Sequence, residues 1–315
     1  MVNLLSAPDN SKVEALPPPE TVGVGFPYIS LLPSELYRSG VLDFVEIVPE
    51  TLCRGLPDMS MALAPELVDR AMTICGALPI VVHGVELSIG SVHGWNGAYL
   101  DMLDRFQKSW PFIWHSEHLV FQTIPSDEGK SLNIGVPLPL PATDEVVRLV
   151  ADRSAAILRR YGVPFLLENP AHYLVDLSCE PEVGDEIELM NRITELGHCG
   201  HLLDLHNLHC NEVNLKFDAF EAIDRTKLER VVEIHVAGGS WSEGFRMDSH
   251  EGRVPERVWE LLEYTLPRSH NVAGVLFELL DENALRLGVE AITDELARAR
   301  EIWLRCRRAA ESHRE

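Results

Sequence analysis

Short, nearly continuous apolar runs alternate with longer stretches of helical spacing along most of the chain. The runs Val22–Ile29, Phe44–Glu50, Ile80–Val85, Phe112–Leu119, Pro164–Pro170, Gly200–Asn207, Val231–Gly239 and Val275–Leu280 have the pattern of strands buried on both faces. Between and after them, Ser34–Arg38, Met59–Gly76, Ala98–Trp110, Thr143–Tyr161, Asp185–Leu196, Phe217–Thr226, Pro255–Thr265 and Val289–Arg305 repeat their apolar residues at helical intervals. Thr143 reads as an N-cap before an acidic first turn, and Pro255 suits the start of a helix. Strand followed by helix, eight times over, predicts an α/β fold of the (β/α)8 TIM-barrel type, with the strands parallel and covered by helices. No GxGxxG follows the first strand, which weighs against a doubly wound dinucleotide fold.

This pattern divides the chain into an extended or disordered arm over residues 1–20, ending Pro17-Pro-Pro-Glu20, one barrel domain over 21–308 and a tail over 309–315. The longest connections, Gln122–Thr143 and Ala171–Gly184, follow the fourth and fifth strands, where a barrel carries substrate-contacting loops.

Chemically capable residues fall repeatedly at strand C-terminal ends, the face on which such barrels build their sites. The third strand ends in Val82-His83-Gly84, the fourth in His115-Ser-Glu-His118, the fifth in Leu167-Glu168-Asn169 and the sixth in Leu203-Asp204-Leu-His206-Asn207. The seventh supplies His235, with Asp248-Ser-His250 in the loop after it, and the eighth supplies Glu278. A single histidine in an apolar run is usually a hydrogen-bonded core residue. Burying this many imidazoles and carboxylates together without a cation would cost several kcal/mol for each unpaired charge. His83, His118, His235 and His250 with Glu168, Asp204, Asp248 and Glu278 exceed the needs of one ion, so the count predicts two or three metals sharing carboxylates. Nitrogen and oxygen donors without thiolate suit iron, manganese or zinc.

Composition narrows the partners. The 315 residues are 46% hydrophobic and 7% aromatic with a formal net charge of −22, as in a globular protein that neither binds nucleic acid through clustered basic residues nor spans a membrane. The six cysteines lack a CxxC or regular spacing and read as reduced, packed thiols; with no secretory signal at Met1-Val-Asn-Leu-Leu, the expected location is the cytoplasm.

Taken in order, Gly23-Val-Gly25, Asp43-Phe-Val-Glu46, Val82-His-Gly84, Ser116-Glu-His-Leu119, Leu138-Pro-Leu-Pro141, Leu167-Glu-Asn-Pro170, Leu203-Asp204, Glu233-Ile-His-Val-Ala-Gly238, Asp248-Ser-His250 and Glu278 resemble the multinuclear non-haem iron-dependent oxidative enzymes typified by the methanobactin-biosynthesis oxidase. That family lies within the xylose-isomerase-like barrels, together with endonuclease IV. The resemblance implies one metal on His83, His118 and Glu168, a second on Glu168, Asp204, His235 and Glu278, and a third on Asn207, Asp248 and His250, with Asp204, Asp248 and His250 serving the chemistry. Endonuclease IV-like barrels usually carry histidine at the position of Asn207, so the asparagine favours the oxidative branch.

His206, where many relatives have asparagine, should share a face with Asp204 by strand alternation, as a further ligand or a donor behind one. His115 and Glu117 have the opposite phase to His118 and are expected to be structural, with Glu117 supporting a ligand or closing an ion pair; His93 and His172, in loops after strands, are expected to face solvent, with substrate contact as the alternative. The resemblance further implies two or three irons in mixed Fe(II)/Fe(III) valence, O2 as co-substrate, a ribosomally made precursor peptide modified at a cysteine, and a companion peptide-recognition protein. A metal-dependent hydrolase or sugar isomerase on the same barrel is the alternative, and a non-catalytic peptide-recruiting scaffold is a third reading.

Overall fold

The computed structural model describes residues 19–55, 61–125, 131–174 and 179–312. Eight strands, β1 (Gly23–Pro27), β2 (Phe44–Ile47), β3 (Ile80–Gly84), β4 (His115–His118), β5 (Phe165–Glu168), β6 (Gly200–Asp204), β7 (Val231–Ala237) and β8 (Gly274–Glu278), pair in parallel and close into a barrel in sequential order. The helices are α1 (Ser34–Arg38), α2 (Pro65–Cys75), α3 (Gly97–Ser109), α4 (Asp144–Tyr161), α5 (Glu186–Leu196), α6 (Leu205–Leu215), α7 (Ala219–Arg225), α8 (Glu256–Thr265), α9 (Asp281–Leu287) and α10 (Val289–Ser312). The expected (β/α)8 fold is therefore the observed one.

Several boundaries differ from the sequence reading. The second helix starts at Pro65, because Met61–Leu63 pairs antiparallel with Cys53–Gly55. The long connection after β4 contains a second hairpin, Val120–Pro125 with Ser131–Pro139, and the loop after β7 a third, Ser240–Ser242 with Phe245–Met247. The last helix runs to Ser312, so residues 309–312 of the expected tail are helical; most of the expected N-terminal arm, residues 1–18, lies outside the described residues.

The sixth strand is the consequential difference. It ends at Asp204, whose Oδ1 accepts the Asn207 N–H at 2.5 Å and caps α6, so His206 and Asn207 stand in a first helical turn. An aspartate three residues before a free N–H is an N-cap, and the cap wins over continuation of the strand.

Inside the barrel, alternate side chains fill the floor: Phe44, Val81, Trp114, Leu166, Leu202, Val232, Ala273 and Leu276 form one apolar cluster, separate from the large core between strands and helices. The Phe44 ring occupies the space where a Cβ on Gly25 would fall, 2.3 Å from its Cζ, so only glycine fits there. Between β6 and β7, His201 pairs with Val231 and Leu202 with Glu233, leaving Val232 as the extra residue of a bulge. Above that bulge Glu233 and His235 both enter the interior.

Candidate metal centre

Strand register sets the candidate ligands side by side at the upper rim. His118 is directly beside Glu168, and Asp204 beside His235. Nε2 of His83 and Nε2 of His118 each lie 3.4 Å from the same Glu168 oxygen, Oε2. His83 reaches that position because its other nitrogen, Nδ1, bonds Ser116 Oγ at 2.9 Å. Ser116 faces inward with His118 and holds the ring, a role sequence reasoning did not assign. Glu168, Asp204 and His235 form a second triad with one donor atom from each within 4.8 Å of the others.

Asn207, one helical turn from its capping partner, donates from Nδ2 to Glu168 Oε1 at 3.0 Å and to the Asn169 carbonyl at 3.2 Å, while its Oδ1 is buried without a partner. Asn169 in turn straps β5 to β6, bonding both the N–H and the carbonyl of Asp204 at 2.9 Å. Next to these, His250 Nε2 lies 2.8 Å from Asp248 Oδ1 and 3.4 Å from Glu278 Oε2, and Glu278 Oε2 is also 3.2 Å from His235 Nδ1. Glu278 thus joins the Asp248–His250 pair to the central group. His250 sits in left-handed backbone at φ 46°, a strained conformation for a histidine, of the kind that clusters at functional sites.

His206 does not share a face with Asp204, as strand alternation had required. From the helix its Nδ1 reaches Asp248 Oδ1 at 3.1 Å, which puts it behind that carboxylate. His115 and Glu117 point outward, as expected, and meet Tyr99: its hydroxyl is 3.1 Å from His115 Nε2, itself 3.4 Å from Glu117 Oε1. His172 is buried and paired with Glu186 at 3.1 Å, contrary to the expected solvent exposure, because its loop folds back on α5 and α6; His93 is exposed. Two more acids, Glu46 and Glu233, lie fully buried against His235 Nε2 at 3.4 and 3.6 Å. Each is a single glutamate in an apolar run, and only barrel closure reveals that they converge.

Burial and mutual repulsion raise some of the acids, while neighbouring histidines hold others low. Burial, with the charges of Glu278 and Asp204, holds the Glu168 carboxyl well above its usual range; burial, with Asp248 and Glu278, raises Asp204 to about 8. Burial and the neighbouring His118 hold His83 well below the ordinary histidine value. Against their burial, Asp248 and Glu278 are held low chiefly by His250, while His235 is raised by Glu46, Glu233 and Glu278. The cluster is frustrated as it stands. Buried atoms without any hydrogen-bond partner include His83 Nε2, Glu168 Oε2, Asp204 Oδ2 and Asn207 Oδ1, and all are electron-pair donors in at least one protonation state. Native proteins leave few such groups, so their convergence fits a set of metal ligands. The side chains of His118, Asp248, His250 and Glu278 retain 23, 19, 13 and 12% exposure, against 2% or less for His83, Glu168, Asp204 and His235, so the centre opens on that side.

The family described as RiPP precursor modification enzyme MbnB/TglH/ChrH matches residues 21–303. A UPF0276 protein of Acinetobacter baylyi is 29% identical over 242 residues, which is 76% of this chain and 77% of that protein. Another, from Anaeromyxobacter sp., is 31% identical over 199 residues, 63% and 68% of the two chains. Among solved structures, endonuclease IV from Thermus thermophilus has a TM-score of 0.51 at 19% identity, covering 90% of this chain and 98% of its own. A xylose isomerase-like TIM barrel protein from Mycobacterium smegmatis, in complex with magnesium, has 0.51 at 15%, covering 89% and 97%. At these identities the likeness to both structures is one of fold.

Proposed function

This chain belongs to the MbnB/TglH/ChrH family of RiPP precursor modification enzymes, and on that premise we propose that it is a multinuclear non-haem iron enzyme that uses O2 to modify a cysteine of a ribosomally made precursor peptide. The observation that carries the reading is the set of buried, unpartnered donor atoms converging on Glu168 and Asp204. One iron would be held by His83, His118 and Glu168, a second by Glu168, Asp204, His235 and Glu278, and a third by Asn207, Asp248 and His250. Two or three ions of mixed Fe(II)/Fe(III) valence satisfy the donor set. When bound, iron supplies an open coordination position that favours a thiolate over a thiol, together with the electrons for reducing O2.

The residues of the chain do the rest. The deeply buried ligands fix the central ions, and the partly exposed His118, Asp248, His250 and Glu278 face the peptide. Asp248 and His250 handle protons at that opening, with the buried Asp204 behind them. Exposed apolar side chains stand in the connections that leave the strand C-terminal ends, including Leu31, Leu174, Trp241, Phe245 and Leu280, and give a peptide or its companion protein something to bury. No helix among the described residues is long and apolar enough to cross a membrane, which is compatible with action in the cytoplasm.

Anaerobic purification from iron-replete cells, metal analysis and O2 uptake with a cysteine-containing precursor peptide test the reading. Iron above one equivalent and peptide-dependent O2 consumption are expected. Zinc in place of iron, with turnover unaffected by removing O2, would sink it in favour of a hydrolase or isomerase.

A further inference from the structure

His235 has acids near both ring nitrogens. Its Nδ1 faces the candidate centre, 3.2 Å from Glu278 Oε2 and 4.0 Å from Asp204 Oδ2; its Nε2 faces the barrel floor, 3.4 Å from Glu46 Oε2 and 3.6 Å from Glu233 Oε1. Glu46 comes from β2 and Glu233 from β7, strands that are not neighbours in the barrel. Both are fully buried above the apolar floor cluster. The second Glu233 oxygen is already used, accepting the Trp114 indole N–H at 2.7 Å, and Trp114 packs on Phe44 with ring centroids 5.6 Å apart. The oxygens left over, Glu46 Oε2 and Glu233 Oε1, have no hydrogen-bond donor other than the His235 ring within reach, and Nε2 is likewise unpartnered.

We infer that Glu46 and Glu233 are positioning residues that hold the proton of His235 on Nε2 and so present Nδ1 to the central metal. This rests on the proposed reading that His235 is a metal ligand. A histidine that binds metal through one nitrogen commonly gives its other N–H to a carboxylate, which fixes the tautomer and makes the ligand more basic. Here two carboxyl groups face one ring nitrogen at 3.4 and 3.6 Å, and negative charge held behind the ring would favour the higher oxidation state of an iron in front of it. A second cation between the two glutamates and Nε2 is a poorer account: it would have three donors and, unlike the proposed ions at the partly exposed rim, a fully buried setting over an apolar floor in place of water for its remaining positions.

The full-length chain, stripped of metal and reloaded anaerobically with Fe(II), tests this with Glu46→Gln, Glu233→Gln and the double variant. Each single variant should hold the central ion roughly tenfold less tightly in chelator competition, the double variant about 100-fold, with a raised midpoint potential and the ion on His83 and His118 retained. Anomalous scattering from iron-loaded crystals should place the central ion on the Nδ1 side of His235. Wild-type affinity and potential in folded variants would overturn the inference, as would an ion on the Nε2 side or a fall in Tm with affinity unchanged. Should the Gln variants fail to fold, Trp114→Phe frees Glu233 without changing any charge, and a several-fold loss of iron affinity is expected; unchanged affinity and potential there would count as refutation. A wild-type chain that takes up no metal would instead sink the proposed function, and this inference with it.

Discussion

Strand β4 carries a histidine and a partner on each of its two faces, and the two faces have opposite fates. Outward, His115 and Glu117 meet the Tyr99 hydroxyl inside a ring of aromatics, with Phe165 5.1 Å and Tyr161 5.7 Å from the imidazole. Burial pushes His115 down to about 3 and Glu117 up to about 8, so near pH 7 the outer pair is a neutral base beside a neutral acid. It needs no ion. Inward, Ser116 orients His83, and His83 and His118 then aim at one oxygen of Glu168 that no hydrogen-bond donor satisfies. The residue types are alike on both faces. What separates a structural network from a metal centre is where the unpartnered atoms fall: the outer face leaves His115 Nδ1 alone in its ring of aromatics, whereas the inner face leaves His83 Nε2 and Glu168 Oε2 3.4 Å apart with His118 Nε2 beside them.

The largest effect should come from removing the shared oxygen. Glu168→Ala should lose most bound iron and slow peptide modification roughly 100-fold or more, because two proposed ions depend on it. Metal analysis of the purified variant, with circular dichroism to confirm the fold, checks this; full iron occupancy would erase the distinction between the two faces. A step smaller, Asp248→Ala should empty only the third proposed position and leave the ions near Glu168 in place. His206→Asn, which removes the 3.1 Å contact to Asp248, should weaken that same ion by about tenfold, read by chelator competition.

The barrel was legible because its eight strands are buried on both faces and so read as apolar runs, each carrying its polar residues at the C-terminal end. The hairpins were not: Met61–Leu63 pairs with Cys53–Gly55 without a strict apolar-polar alternation to announce it. Asn207 was picked out by resemblance, but its position was misread, since a periodic run cannot say that Asp204 turns from strand residue into helix cap. Glu46 and Glu233 were invisible as a pair for a deeper reason. They stand far apart in sequence, and only barrel closure, with the bulge at Val232, brings both onto His235.

On the outer face the expected cost is stability rather than metal. His115→Phe keeps the ring volume but takes a partner from both Tyr99 and Glu117, and should destabilise the fold by about 1–3 kcal/mol with iron content unchanged. Denaturant unfolding set beside metal analysis separates the two outcomes. Iron lost in proportion to stability would show that the faces are coupled through the strand.

The smallest effect sharpens the claim that acids outside the centre are held neutral. The Glu50 Oε1 accepts the N–H groups of Val85 and Glu86 at 2.8 and 3.1 Å, its Oε2 is buried without a partner, and burial, aided by the charge of Glu117, raises the carboxyl from 4.5 to about 8. The folded chain therefore keeps this proton up to about pH 8, whereas the unfolded chain releases it near 4.5. Between those values the unfolded state binds fewer protons, so the stability this group contributes is present below about pH 4.5 and falls as pH rises toward about 8. Glu50→Gln keeps an oxygen for both N–H groups and has no proton to lose, so its denaturant midpoint should fall less than that of the wild type between about pH 5 and about pH 8. Equal slopes for the two proteins would mean that Glu50 is ionised in the folded chain at neutral pH, and that charge outside the centre is tolerated without any cation to balance it.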